Sequence, residues 1–191
     1  PLLTNEHEDY WEVVMTPDGK GIVYQIDTAG ADLMYRPLSR DTVATPIANS
    51  PFEESMARVS PDGHWITYVS AESGRDQVMV QPFPRAGGAR TQVSINGGRE
   101  PVWSRDGKRL FYRDDQDLIA VSVSTSGPFT IISRAKLFQD TFLRAPFHAN
   151  YDVAPDGSHF LFLKATEEPQ LIVVTNWLDE VRARLKAKKL N

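Results

Sequence analysis

Four tetrapeptides decide how this chain folds: Thr16-Pro17-Asp18-Gly19, Ser60-Pro61-Asp62-Gly63, Ser104-Arg105-Asp106-Gly107 and Ala154-Pro155-Asp156-Gly157. Their glycines are separated by 44, 44 and 50 residues. Each tetrapeptide leads into a β-rich run: Gly21-Ile22-Val23-Tyr24, Trp65-Ile66-Thr67-Tyr68, Arg109-Leu110-Phe111-Tyr112 and His159-Phe160-Leu161-Phe162. Proline presets φ for the first turn position, Asp tolerates the second and accepts a backbone N–H two residues on, and Gly takes the positive φ that closes the hairpin. Arg105 stands where the other three turns have Pro, at a cost of about a few tenths of a kcal/mol. One Asp-Gly is commonplace; four in phase are a repeat.

Other segments keep the same phase. Leu33-Met34-Tyr35-Arg36, Val78-Met79-Val80-Gln81, Leu118-Ile119-Ala120-Val121 and Leu171-Ile172-Val173-Val174 read as strands. So do Trp11–Val14, Met56–Val59, Glu100–Trp103 and Asn150–Val153 ahead of the turns. An outer set is Pro1–Thr4, Thr45–Ala48, Thr91–Ser94 and Ala135–Phe138. Four short strands per repeat of about 44 residues is one propeller blade. The expected fold is an all-β propeller segment of four four-stranded blades over residues 1–176. In phase, the chain opens on an outer strand and its last blade lacks one. A larger ring seen in part is expected, and a closed four-bladed ring completed by Pro1–Thr4 is the alternative. An incomplete ring leaves a blade face and sheet edges uncovered, so self-association is expected of it. Residues 177–191 are expected to form a short helix and basic tail, with Asn176 as N-cap, acidic Asp179 and Glu180 early and lysines late.

Composition narrows the function classes. The 191 residues carry 21 Lys+Arg and 25 Asp+Glu, so the chain is not a basic nucleic-acid-binding domain. With no cysteine there is no disulfide framework, thiolate zinc site or cysteine nucleophile. No apolar run reaches the length of a membrane span.

The stretch Tyr68-Val69-Ser70-Ala71-Glu72-Ser73-Gly74-Arg75, continuing to Val80-Gln81-Pro82-Phe83-Pro84, is followed by Gly97-Gly98-Arg99-Glu100-Pro101-Val102-Trp103-Ser104-Arg105-Asp106-Gly107. Tyr151-Asp152-Val153-Ala154-Pro155-Asp156-Gly157 and Asn176-Trp177 come later. This pattern resembles the TolB-like, WD40-like β-propeller region at the C-terminus of many bacterial serine/threonine protein kinases. The resemblance implies a kinase domain and a membrane span elsewhere in a parent protein, with the propeller outside the cytoplasm as a sensor or interaction module. Membrane attachment would then come only through the parent. The same blades occur in TolB, a periplasmic scaffold, and in the gating propellers of prolyl-oligopeptidase-like enzymes, and both alternatives stay open.

The residues themselves carry no catalytic signature. There is no His-Arg-Asp, Asp-Phe-Gly or Gly-x-Ser-x-Gly, and His7-Glu8 is followed by Trp11 where a zinc-protease helix needs His. Asp114, Asp115 and Asp117 read as a turn rather than a calcium loop. The equally spaced Asp18, Asp62, Asp106 and Asp156, with Gly19, Gly63, Gly107 and Gly157, read as structural turn residues. No catalytic residue, metal or cofactor is expected; the expected activity is binding of a protein or small-molecule ligand. Propellers bind where inner strands and their loops converge. Glu53, Glu54, Arg99, Glu100, His148 and Asn150 precede the inner strands and are the expected channel-mouth surface. Trp11, Trp65 and Trp103 are expected to pack between blades.

Overall fold

The computed structural model describes residues 9–27, 32–40, 42–85, 87–144, 146, 148–164 and 170–174. They form an all-β propeller segment. The first sheet runs β1 (Tyr10–Met15), β2 (Gly21–Ile26), β3 (Asp32–Pro37) and β4 (Thr45–Ala48). The second runs β5 (Glu54–Val59), β6 (Trp65–Ser70), β7 (Gln77–Pro82) and β8 (Thr91–Gln92). The third is β9 (Arg99–Trp103), β10 (Arg109–Arg113), β11 (Asp117–Ser124) and β12 (Thr130–Gln139). The fourth is β13 (Tyr151–Val153), β14 (Phe160–Lys164) and β15 (Gln170–Val174). Every sheet is an antiparallel meander in chain order, four-stranded in the first three blades and three-stranded in the last. The outer strand expected at Pro1–Thr4 and the helix expected over 177–191 lie outside the described residues.

The repeated turn accounts for this regularity. Gly19, Gly63, Gly107 and Gly157 all have φ between 68° and 74°. In each turn the glycine N–H donates to the carbonyl three residues back, at 2.7–2.9 Å. The Asp side chain accepts the N–H two residues on, from Lys20, His64, Lys108 and Ser158, at 3.0 Å in every blade. The hydroxyls of Thr16, Ser60 and Ser104 donate to that same carboxylate oxygen. Each of these hydroxyls also accepts the N–H that opens the next strand, from Gly21, Trp65 or Arg109, at 2.9 Å. Ala154 has no hydroxyl, and in the fourth blade Ser158 donates to Asp156 instead, at 2.7 Å.

Alternation along the strands gives each sheet two apolar faces, and the core is the set of blade contacts. Val23, Leu33 and Ile47 of the first blade pack on Ala57, Ile66, Tyr68 and Phe83 of the second. Val78, Val80 and Val93 pack on Trp103, Leu110, Tyr112 and Val121 of the third. Val102, Phe111, Leu118 and Leu137 pack on Tyr151, Val153, Phe160 and Phe162 of the fourth. The first strands of successive sheets, β1, β5, β9 and β13, are neighbours, so they line the axis. Each of β1, β5 and β9 carries a bulge near its start. The described residues do not close the ring.

The second blade departs slightly from the pattern. The expected strand Thr91–Ser94 stops at Gln92. Val93 N–H still donates to the Val78 carbonyl at 2.7 Å, but the Ser94 hydroxyl takes over as acceptor for Val78 N–H at 2.9 Å. A side chain replaces the carbonyl and ends the ladder. Of the three tryptophans expected between blades, Trp103 is buried there and Trp65 is half-buried, whereas Trp11 is exposed.

Candidate binding groove along the inner strands

The six residues expected at a channel mouth separate into two groups. Glu53 and His148 are exposed, and Arg99 is half-buried. Arg99 pairs with Asp76 at 3.2 Å and donates to the Pro146 carbonyl at 2.6 Å. Glu54, Glu100 and Asn150 are buried. These three side chains are enclosed by the chain rather than set out in solvent as expected. The Glu54 carboxylate is held by Ser50, through its N–H at 3.2 Å and its hydroxyl. Burial pushes this carboxyl above the usual range, against those two hydrogen bonds.

Glu100 sits in the β9 bulge with φ 54°, in the left-handed region. Its carboxylate meets Arg113 at 3.0 Å and accepts Asn150 N–H at 2.7 Å, and its carbonyl accepts the Tyr151 hydroxyl at 2.9 Å. Glu100 and Asn150 are thus brought together, but inside the joint between the third and fourth blades. The residues that place them, Arg113 and Asp140, carry no local sequence signal of that role. The acidic run is a turn: Asp114 accepts the N–H of Gln116 at 2.9 Å and of Asp117 at 2.7 Å, and Asp117 pairs with Lys136 at 2.7 Å. Among the described residues no group of three His, Asp or Glu side chains is placed to hold a metal ion.

The concavity on the axial side lies further along the inner strands. It measures about 500 Å³ and is lined by Arg58 and Val59 of β5, Val102 and Trp103 of β9, Tyr151 and Asp152 of β13 and the prolines of the first two turns. Register fixes the chemistry of its walls. Val14, Arg58, Val102 and Asp152 stand opposite Val23, Thr67, Phe111 and Leu161 on the second strands, so they hold one repeat position. Two blades place an apolar residue there, one an arginine and one an aspartate. Arg58 pairs with Glu12 of β1 at 2.7 Å, which ties it to the first blade. Its carbonyl accepts the Trp103 indole N–H at 3.2 Å, so the indole is held against β5. The second oxygen of Glu12 is buried without a hydrogen bond. Asp152 is exposed and accepts only its neighbour's backbone N–H, from Val153, among the hydrogen bonds described. The groove therefore combines an aromatic and aliphatic wall with one cation, already paired to Glu12, and the exposed carboxylate of Asp152.

The solved structures with the same fold come from several functional classes. TolB from Acinetobacter baumannii superposes with a TM-score of 0.62 at 14% identity, over 88% of this chain and 41% of that one. A puromycin-hydrolyzing peptidase of Mycobacterium tuberculosis gives 0.66 at 18% identity, over 87% of this chain and 28% of that one. Hydrazine synthase of Kuenenia stuttgartiensis gives 0.56 at 16% identity, over 85% and 57%. At these identities the likeness is one of fold, a TolB-like propeller. The chain spans between about a quarter and three fifths of the length of these neighbours. No family model and no curated protein matches the chain.

Proposed function

We propose that this chain is a non-catalytic binding module, and that its ligand lies in the groove between Arg58, Trp103 and Asp152. The observation that carries this is the groove itself: a concavity of about 500 Å³ with an apolar wall and an exposed carboxylate, the usual make-up of a binding cleft. Arg58 is already paired with Glu12, which leaves Asp152 as the exposed charge of the lining, so a ligand or protein segment bearing a cationic group beside an apolar one suits it. Titration with short peptides tests this, using one peptide with Lys next to Leu and one with Glu next to Leu. The Lys peptide is expected to bind and the Glu peptide to bind at least tenfold more weakly, with Asp152→Ala removing the difference. Equal binding of both peptides, or a preference untouched by Asp152→Ala, overturns the reading.

In the setting that the sequence resemblance implies, the module is the C-terminal sensor region of a bacterial transmembrane serine/threonine kinase, facing out of the cytoplasm. The structural likeness to TolB supports an envelope scaffold equally, and the likeness to a peptidase supports a substrate gate. Reading the coding DNA around this segment separates them. His-Arg-Asp and Asp-Phe-Gly motifs followed by an apolar stretch of about twenty residues favour the kinase. A cleavable leader and further blades favour the scaffold, and a hydrolase domain favours the gate.

A further inference from the structure

Two concavities meet at Pro17 and Pro61. One is the axial groove; the other lies between the first and second blades at their Asp-Gly turns, and both prolines border both. The second measures about 360 Å³, within the range of about 300–1,000 Å³ usual for ligand sites. Tyr35, Phe83 and Pro84 form its apolar wall with the two prolines, and Asp18, Asp62 and His64 are its titratable groups. The aromatic wall is held in place. Tyr35 and Phe83 meet edge to face at 4.9 Å, and a Cβ on Gly21 would run into the Tyr35 ring.

The carboxylates are held as firmly. In each, Oδ1 takes the hydrogen bonds of the turn: from the Thr16 hydroxyl and Lys20 N–H at Asp18, and from the Ser60 hydroxyl and His64 N–H at Asp62. Oδ2 takes no part in either turn, although Thr125 of the third blade also hydrogen-bonds Asp62. Thr16 and Lys20 N–H hold Asp18 below the usual carboxylate range, and at Asp62 desolvation is outweighed by Ser60 and His64 N–H with the same result. Both groups are therefore charged at neutral pH. The repeat shows what this joint lacks. Between the second and third blades, Arg105 and Lys108 hold the positions of Pro61 and His64. Between the third and fourth, Arg105 holds the position of Pro17. The first of the three joints alone sets two turn carboxylates together with no lysine or arginine at these positions. Lys20 acts on Asp18 through its charge, but neither it nor Arg85, which follows Pro84, lines the cavity.

We propose that this cavity takes the arginine side chain of an extended partner segment, its guanidinium set against the Tyr35–Phe83 wall and paired with the Asp18 and Asp62 carboxylates. A guanidinium is planar, stacks on aromatic rings and carries its donors in a fork that can meet two carboxylates at once; an ammonium is a compact point charge. The inference is independent of the ligand proposed for the axial groove.

Nuclear magnetic resonance titration of the Asp152→Ala protein tests it. That change removes the exposed charge of the groove and leaves this cavity as it is, so the two sites are judged apart. The probes are end-blocked Gly-Arg-Gly and its counterparts with lysine or with citrulline, the uncharged isostere of arginine. The arginine peptide is expected to shift the amide signals of Asp18, Gly63 and His64. It is expected to bind roughly tenfold more tightly than the citrulline peptide, and more tightly than the lysine peptide. Added salt is expected to weaken it, because both carboxylates are exposed. His64→Arg is expected to lower the affinity about fivefold by placing a cation in the lining. The turn accepts that change, since Lys20 and Lys108 hold the same position in the first and third blades. No binding, or shifts that leave these two turns untouched, overturns the proposal. So does equal binding of the arginine and citrulline peptides, a lysine peptide that binds as tightly, or an affinity indifferent to His64→Arg.

Discussion

The Arg113 guanidinium meets the Glu100 carboxylate at 3.0 Å in the interior, with neither side chain more than 2% exposed. Around that pair all five guanidinium hydrogens are used. The Nε hydrogen goes to Asp140, Nη2 to Asp140 at 2.8 Å and the Phe142 carbonyl at 3.0 Å, and Nη1 to Glu100 and the Leu143 carbonyl at 2.8 Å. Arg144 adds a second cation to Asp140 at 2.7 Å, so two cations balance two carboxylates. The network ties β9, β10 and the end of β12 to the connection leading into β13, the repeat that is longer by six residues. Desolvation works against the Arg113 charge, and the Asp140 hydrogen bond and the Glu100 charge outweigh it.

Removing Arg113 leaves the buried Glu100 carboxylate without a cation and Asp140 with Arg144 alone. Arg113→Met is expected to destabilise the chain by about 3–5 kcal/mol, the range for breaking a buried ion pair from one side. Urea unfolding measures it. The triple change Arg113→Met, Glu100→Gln, Asp140→Asn is expected to recover part of the loss, because no buried charge is left unpaired and Arg144 reaches solvent. If the single variant unfolds at the parent's midpoint, the network is not what joins these blades.

The turn carboxylates give stability a pH dependence of defined sign. Hydrogen bonds from Thr16 and Lys20 N–H hold Asp18 below the usual range, as Ser104 and Lys108 N–H do for Asp106, and Ser158 does for Asp156. At Asp62 desolvation acts upward, but the Ser60 hydroxyl and His64 N–H outweigh it. A lowered folded pKa means stability fully present above the unfolded value, about 3.9, and lost as pH falls through the folded values. Glu54 has the opposite sign: its raised carboxyl favours the fold at low pH, and that contribution is lost as pH rises through its folded pKa. Melting temperature followed from pH 7 downward is expected to fall below pH 4, less steeply in Asp18→Asn and Asp106→Asn. Glu54→Gln is expected to gain relative to the parent toward neutral pH. An unaltered acid limb in the Asn variants contradicts this account.

Gly63 separates backbone strain from crowding. Its φ is 74°, and an added Cβ would have no atom within 4 Å. Gly63→Val is therefore expected to cost about 1–2 kcal/mol from the left-handed backbone alone. Gly63→Asn is expected to cost less, since Asn adopts that region more readily. Gly98 is the contrary case: an added Cβ would lie 2.8 Å from both Ser94 Cβ and Tyr112 Cδ2. Gly98→Ala is expected to lose about 1–3 kcal/mol by overpacking. Thermal denaturation of the three variants ranks the two causes.

The sequence reading reached as far as local physics reaches. Asp-Gly turns and alternating strands act over a few residues, so four blades and their strand order were legible. The buried roles of Glu54 and Glu100 were not, because a glutamate ahead of a strand reads as solvated. Glu100 is internal only through Arg113, Asp140 and Asn150, partners 13 to 50 residues away. The six extra residues of the last repeat were the available hint. Arg58 and Asp152 were also missed, although the repeat marks them: aligned with Val14 and Val102, they are the polar members of an otherwise apolar position. That contrast needs strand register, and the bulges in β1, β5 and β9 hide the register from simple counting.

Phe111 and Leu161 turn the blade equivalence into a measurement. Phe111 is fully buried against the fourth blade, its ring 5.0 Å from that of Phe160 in an edge-to-face contact. Phe111→Ala is expected to cost about 3–5 kcal/mol. Leu161 holds the same position one blade later and is 38% exposed, with no further blade over it among the described residues. In dilute protein, where copies are apart, Leu161→Ala is expected to change unfolding by no more than about 0.5 kcal/mol. A large loss in dilute protein would mean that Leu161 is already covered within one chain, by residues that close the face without a partner.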